Sequence, residues 1–537
     1  MEILYNAKVY TLDPDQPTAS ALAIDHGRIL GLGRDAYLLS EFEGRGKRQD
    51  MGGRIIIPGL TDAHIHLQHY ALSLQKVNCE TSSKQECIRR IAARAQHTPQ
   101  GEWISGHGWN QNDWPDSKFG VSADLDAVAP HNPVYLTAKS LHAAWANSLA
   151  LQQAGINAQS SEPPDGRIQR DERGNPTGIL FENAMQLVSE MIPEPEAEVL
   201  AQALRLAQEK LWKMGLTGAH DFDQQLCFQA LQILNARGEL NLRVIKSLPL
   251  EALPHVIEVG LRTGFGDAFL RIGSIKAFAD GALGPRTAAM IQPYEEEPEN
   301  RGMLLLDAEE LFDQGRLAVE NGLSLAVHAI GDRANHEVLN AFEHLRQVER
   351  SEDSKVAPLM RPPLRHRIEH VQIIHPDDVP RLAQLNVIAS MQPVHVTSDH
   401  PAAQRFWGER AAYSYAWRTL LDQGTRMAYG SDAPVESPNP FWGLHAAVTR
   451  RCLDGRPGPQ GWYPEQKLAL SEALHGFTTG AAYAANLEDR LGKLAPDYCA
   501  DLLVLETDPF NCDPDLIGNL SPVGTMINGK WVFREFE

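Results

Sequence analysis

His64 and His66 flank a single residue in Thr61-Asp62-Ala63-His64-Ile65-His66. On an extended strand, residues i and i+2 point to the same side. Two imidazoles at that spacing can hold one cation, and imidazole suits zinc or a similar transition metal. A lone histidine at a strand end is more often an ordinary hydrogen-bonded residue. Here the pair is joined by Lys276, His328, His370 and Asp432, each at the end of its own apolar run of strand length. That assembly points to a metal ion that activates water, and so to a hydrolase. The sequence has no GxxxxGK phosphate loop, no GxSxG nucleophile elbow and no HExxH pair to suggest a rival chemistry.

The elements that must position these residues are apolar runs alternating with helical stretches. The runs are 54–64, 216–221, 242–248, 270–278, 323–328, 367–371, 387–391 and 427–431, with helices such as 197–214 and 309–320 between them. Eight β/α units predict an α/β fold, a TIM (β/α)8 barrel, whose catalysts stand at the C-terminal strand ends. Short strands and Gly/Asp turns at both termini predict one small composite β-sandwich, its hairpin turning at Asn528-Gly529. The expected boundaries are 1–57 for the first sandwich part, 58–488 for the barrel and 489–537 for the second part. The long interval after the first strand predicts an inserted subdomain at about 70–210, since a structureless loop of that size is improbable.

Asp280 and Arg286 fall in the loop after the fourth strand, where they either shape the substrate pocket or pair with each other. His142 and the tryptophans Trp109, Trp114 and Trp145 lie in the insert. They either cap the pocket with aromatic walls or form simple core.

A net charge of −20 argues against a nucleic-acid partner. No apolar run is long enough to span a bilayer, and the N-terminus lacks the pattern of a signal peptide. A cytoplasmic protein acting on a small molecule is the default. Six scattered cysteines without a CxxC pair read as reduced thiols.

The run Pro58-Gly59-Leu60-Thr61-Asp62-Ala63-His64-Ile65-His66 resembles the opening of the barrel in the amidohydrolase superfamily. Val327-His328-Ala329-Ile330-Gly331-Asp332, Arg367-Ile368-Glu369-His370 and Gly430-Ser431-Asp432-Ala433-Pro434 extend the likeness. Gly108-Trp109-Asn110 through Trp114, Leu141 to Asn147, and Ala279 to Gly284 with Arg286-Thr287 are similar to amidohydrolase family 3. Its N-substituted formamide deformylase-like branch is the nearest likeness.

The resemblance implies that His64 and His66 hold a first divalent ion, most simply zinc, with Asp432 beside it. His328 and His370 would hold a second ion or help bind metal and substrate. Lys276, at the end of the fourth strand, is where many members carry a carboxylated lysine that bridges two metals; its alternative is a salt bridge near the pocket. Glu182 is the reserve for that bridging carboxylate, its alternative being an exposed glutamate at a helix start.

The expected mechanism gives Asp432 the proton of the attacking water and then the delivery of that proton to the departing nitrogen. His328 or His370 would polarise the scissile carbonyl. The bond is expected to be the C–N bond of an amide, formamide or related group. The alternatives are a metal-dependent isomerase or decarboxylase on the same scaffold, or a non-catalytic ligand-binding barrel. The resemblance further implies a homodimer.

Overall fold

The computed structural model describes residues 1–139, 143–164, 166–350 and 364–537. Its centre is an all-parallel, eight-stranded sheet whose strands neighbour one another in chain order. These are β1 (Leu60–Ile65), β2 (Leu216–Asp221), β3 (Arg243–Pro249), β4 (Leu270–Phe278), β5 (Leu325–Ala329), β6 (Arg367–His370), β7 (Ile388–Met391) and β8 (Met427–Tyr429). They are buried along almost their whole length, as parallel strands covered on both faces must be. The ring closes just past β8, where the Asp432 N–H donates to the His64 carbonyl at 2.7 Å. The fold is the expected TIM barrel with additional domains.

Helices Ala197–Lys213, Gln225–Ala236, Ala308–Glu320 and Asp332–Arg350 run between strands. In Ala197–Lys213 the buried residues Leu200, Leu204, Ala207 and Leu211 recur at helical spacing, which leaves one apolar stripe for the core. Asp307 starts Ala308–Glu320 by accepting from the Glu309 and Glu310 N–H groups, while the Glu310 carboxylate caps the Asp307 N–H.

The run 54–64, read from sequence as one strand, is two. Ile55–Pro58 belongs to a terminal sheet and β1 begins at Leu60. Gly59 marks the break, and a Cβ there would lie 2.4 Å from Thr217 Cγ2. The terminal sheet runs Lys530–Arg534, Gly524–Ile527, Leu502–Leu505, Ile55–Pro58, Lys8–Tyr10, Thr18–Ala19, and so draws strands from both ends of the chain. Leu4, Val9, Ile24, Ile56, Leu502 and Val504 share the core between it and a second, four-stranded sheet. The hairpin turns at Asn528 (φ 51°) and Gly529 (φ 73°), both left-handed as a tight two-residue turn requires.

Ala71–Val199 forms a compact unit of its own around a mixed six-stranded sheet. Trp109, Trp114 and Trp145 are fully or almost fully buried in its core, with ring centroids 6.1–6.5 Å apart. The Trp109 Nε1–H donates to the Leu136 carbonyl at 2.8 Å. Trp109 is therefore a core residue of this unit, the second of its two readings: its ring is covered and its one donor is used. All six cysteines are free thiols.

Candidate active site

His64, on β1, and His370 and Asp432, just at or past the ends of β6 and β8, carry ligand atoms that all lie within 4.8 Å of one another. Asp432 Oδ1 is 3.5 Å from His64 Nε2 and 3.3 Å from His66 Nε2. The His370 ring centroid is 4.9 Å from that of His64 and 4.5 Å from that of His328 on β5. The histidines and the aspartate singled out by spacing thus meet at one end of the barrel.

Hydrogen bonds on the far side of the rings decide which nitrogen each can offer. His64 Nδ1–H donates to Glu369 Oε2 at 2.6 Å, and His66 Nδ1–H to Asp223 Oδ1 at 3.0 Å. His370 Nδ1–H donates to Gln392 Oε1 at 2.8 Å. Carboxylate and amide oxygens only accept, so Nδ1 carries the proton and Nε2 is the bare nitrogen in the neutral ring. Outer partners of this kind orient metal-binding histidines. None of the three partners was singled out from sequence.

The partners are themselves held. Arg367 pairs with Glu369 inside the barrel and donates to the Ala63 carbonyl at 2.6 Å. Asp62, almost fully buried, accepts from the N–H groups of His64 and Ser431, both at 3.0 Å, and from the Ser431 hydroxyl. It clamps the strand carrying the histidine pair to the segment carrying Asp432. Gly430 permits that approach, since a Cβ there would sit 2.4 Å from His64 N. His370 (φ 76°) and Asp432 (φ 59°) are left-handed. Such a conformation is costly for non-glycine residues, and it clusters at functional sites.

The electrostatics suit a cation. Burial, helped by the Lys276 ammonium, lowers His64 to about 4 and His328 to about 3. Burial and the nearby His328 keep His370 far below its ordinary value. These rings are neutral at neutral pH, each with one bare nitrogen. His66 differs: burial pulls it down, but hydrogen bonds to Asp223 and Asp432 outweigh this and raise it to about 10. Burial pushes Asp432 up, yet the His66 hydrogen bond and the surrounding imidazoles hold it ionised. Imidazole nitrogens converging on an ionised carboxylate are a donor set that fits zinc or a similar divalent ion.

Lys276 is buried on β4, its Nζ 4.7 Å from the Phe222 ring centroid and 4.8 Å from that of Phe278. Burial lowers it to about 8 against the opposing pull of Glu369 and Asp432. Phe222 also stacks on His64 at 4.1 Å.

The other expectations need correction. Asp280 does not face a pocket: it is 1% exposed, and its carboxylate accepts from the N–H groups of Ala289, Ile330 and Gly331. Nor does it pair with Arg286, which instead binds Glu297 and lies 5.2 Å from the Phe406 ring. Glu182, the reserve bridge, is exposed at the end of a strand in the unit 71–199 and is in no metal-capable cluster among the described residues. His142 lies outside the described residues.

A family model described as the amidohydrolase family matches residues 48–533. The chain belongs to the amidohydrolase family. This amidohydrolase is 32% identical to the putative amidohydrolase YtcJ of Bacillus subtilis, over 99% of both chains. It is 27% identical to the N-substituted formamide deformylase of Arthrobacter pascens, over 98% of this chain and 97% of that one. Among solved structures it is similar to an uncharacterized metal-dependent hydrolase from Pyrococcus furiosus. There the TM-score is 0.78 at 28% identity, covering 95% of this chain and all of the other. Family 3, read from the motifs, is the family found.

Proposed function

We propose that this amidohydrolase is a metal-dependent hydrolase of a C–N bond in a small amide, formamide or related compound. The observation that carries the metal is the set of three imidazoles, His64, His66 and His370, each held at Nδ1: Nε2 is bare in His64 and His370 beside the Asp432 carboxylate, and His66 would give up its Nε2 proton to an ion. Likeness to a formamide deformylase over nearly the whole chain supports the bond type. Zinc is the ion proposed, in one or two equivalents, with the chain acting in the cytoplasm.

His64 and His66, with Asp432, would hold a first ion, and His328 and His370 a second. Lys276, carboxylated on Nζ, would supply two further oxygens between them. When bound, such an ion lowers the pKa of water toward neutrality and polarises a carbonyl. Asp432 takes the proton of the attacking water and delivers it to the departing nitrogen, a general base turned general acid. His328 or His370, through the ion it would hold, polarises the scissile carbonyl. Glu369, Asp223 and Gln392 keep the rings from turning while this occurs.

The test pairs elemental analysis with product analysis. Protein purified without added metal is expected to carry one or two equivalents of zinc, and to lose the first when His64 and His66 are both changed to alanine. Screening N-substituted formamides and carboxamides should yield free amine and carboxylic acid. Native-like protein that binds no metal after reconstitution would sink the reading. An isomerised or decarboxylated product would replace hydrolysis with another reaction of the same site.

A further inference from the structure

His328 differs from the other three histidines in which nitrogen is engaged. Its Nε2 lies 2.9 Å from the Gly281 carbonyl, while Asp280 Oδ1, at 3.6 Å, is beyond bonding distance. A carbonyl only accepts, so Nε2 carries the proton and Nδ1 is the bare nitrogen. In His64, His66 and His370 it is Nδ1 that is engaged.

The carbonyl is set in place by an unusual carboxylate. Asp280 Oδ1 accepts from the Ile330 N–H at 3.0 Å. Oδ2 accepts from Gly331 and Ala289, both at 2.8 Å. One side chain therefore fastens the segment after β4 to the segment that follows His328 on β5. The Ala279 N–H, donating to the His328 carbonyl at 2.9 Å, closes the same corner. Two glycines let the chains approach this closely. A Cβ on Gly281 would lie 2.2 Å from Thr287 Oγ1, and one on Gly331 would lie 1.9 Å from the Ala289 carbonyl oxygen. The carboxylate makes no hydrogen bond to a cationic side chain among the described residues. A buried carboxylate bonded only to neutral amides is costly unless they are held in register for it.

The geometry points to Asp280 as a positioning residue that fixes His328 in the Nε2–H form, with Nδ1 available, by holding the Gly281 carbonyl against the ring. This rests on the reading of His328 as part of the metal site. It gives that site one histidine locked by a backbone carbonyl that a neighbouring carboxylate holds in place, where the others are locked by side chains directly.

Cobalt(II) is the probe, titrated into chelator-stripped protein against a chromophoric competitor. Asp280→Asn is expected to weaken cobalt binding by about 10–100-fold, the usual effect of losing an outer partner. His328→Ala should weaken it at least as much, and the double variant no further. Equal thermal unfolding midpoints in D280N and D280N/H328A would go with that result. Losses in cobalt affinity that add in the double variant, or unchanged binding in D280N, overturn the proposal. Unchanged binding in H328A overturns instead the site reading beneath it. Nitrogen-15 spectra of labelled histidine in the wild-type apoprotein give a second readout that needs no folded D280N. His328 protonated at Nε2 is expected, and protonation at Nδ1 overturns the proposal.

Discussion

At the N-terminal end of the barrel strands, Arg243 forms a bidentate pair with Asp501 at 2.6 and 2.9 Å, both nearly buried. The Asn528 N–H adds a third bond to the carboxylate at 2.8 Å. At the same end, just before β6, Glu349 sits between Arg346 and His366, each at 2.6 Å. At the C-terminal end the charges converge instead. Lys276, His64, His66 and Asp432 share one small volume, and Asp432 faces two imidazoles without a bond under 3.3 Å to either. One end closes its ion pairs group by group; the other leaves donors aimed at a common point. Paired buried charges hold structure, whereas converging ones store the means to bind a cation and move a proton.

The contrast makes opposite predictions for the two ends. The largest effect belongs to Asp432→Asn, expected to lower turnover by about 10²–10⁴-fold, the usual worth of a general base. Its thermal midpoint should stay near that of the wild type, and a variant that kept near-normal turnover would end the proposed role. Next comes Arg243→Met, which leaves Asp501 buried without its cation. It should cost about 3–5 kcal/mol of stability in urea unfolding, with turnover per folded molecule unchanged. An active-site effect there, with stability intact, would erase the distinction between the ends.

The smallest effect is pH-dependent. Burial raises the Glu349 carboxyl, but the hydrogen bond from His366 and the attraction of His366 and Arg346 outweigh it and hold it below its ordinary 4.5. Its contribution is therefore complete above pH 4.5 and is lost as the pH falls through the lower folded value. Glu349→Gln should cost about 1–3 kcal/mol at neutral pH, and the gap from wild type should close in acid. A gap that widened in acid would show the sign to be wrong.

The histidines and Asp432 were legible because strand-end position and the i, i+2 spacing are local patterns. Their partners were not. Glu369 reaches His64 across most of the barrel sequence, and Asp223 reaches His66 from the loop after β2. Strict alternation would send Glu369 and His370 to opposite sides. Both nevertheless engage His64, and the chain turns left-handed at His370. Nothing in a histidine announces a positive φ. Asp280 was misread for a related reason: position after β4 suggested a pocket, but backbone amides from three loop residues consumed its carboxylate. The split of 54–64 at Gly59 was hidden because both halves are apolar and only their partners differ.

That split strand has a consequence for how the protein is made. Ile55–Pro58, which runs straight into the strand bearing His64, pairs in register with Leu502–Leu505. At a synthesis rate of about 5–20 residues per second, the intervening stretch of roughly 440 residues takes on the order of 20–90 s to emerge. Through that interval the strand leading into His64 lacks one of its two neighbours. The nascent chain thus carries its chelating pair long before the sheet behind it is complete. Contacts so distant in sequence are slow to form, so the last strands to leave the ribosome are those that finish the support of the first catalytic one.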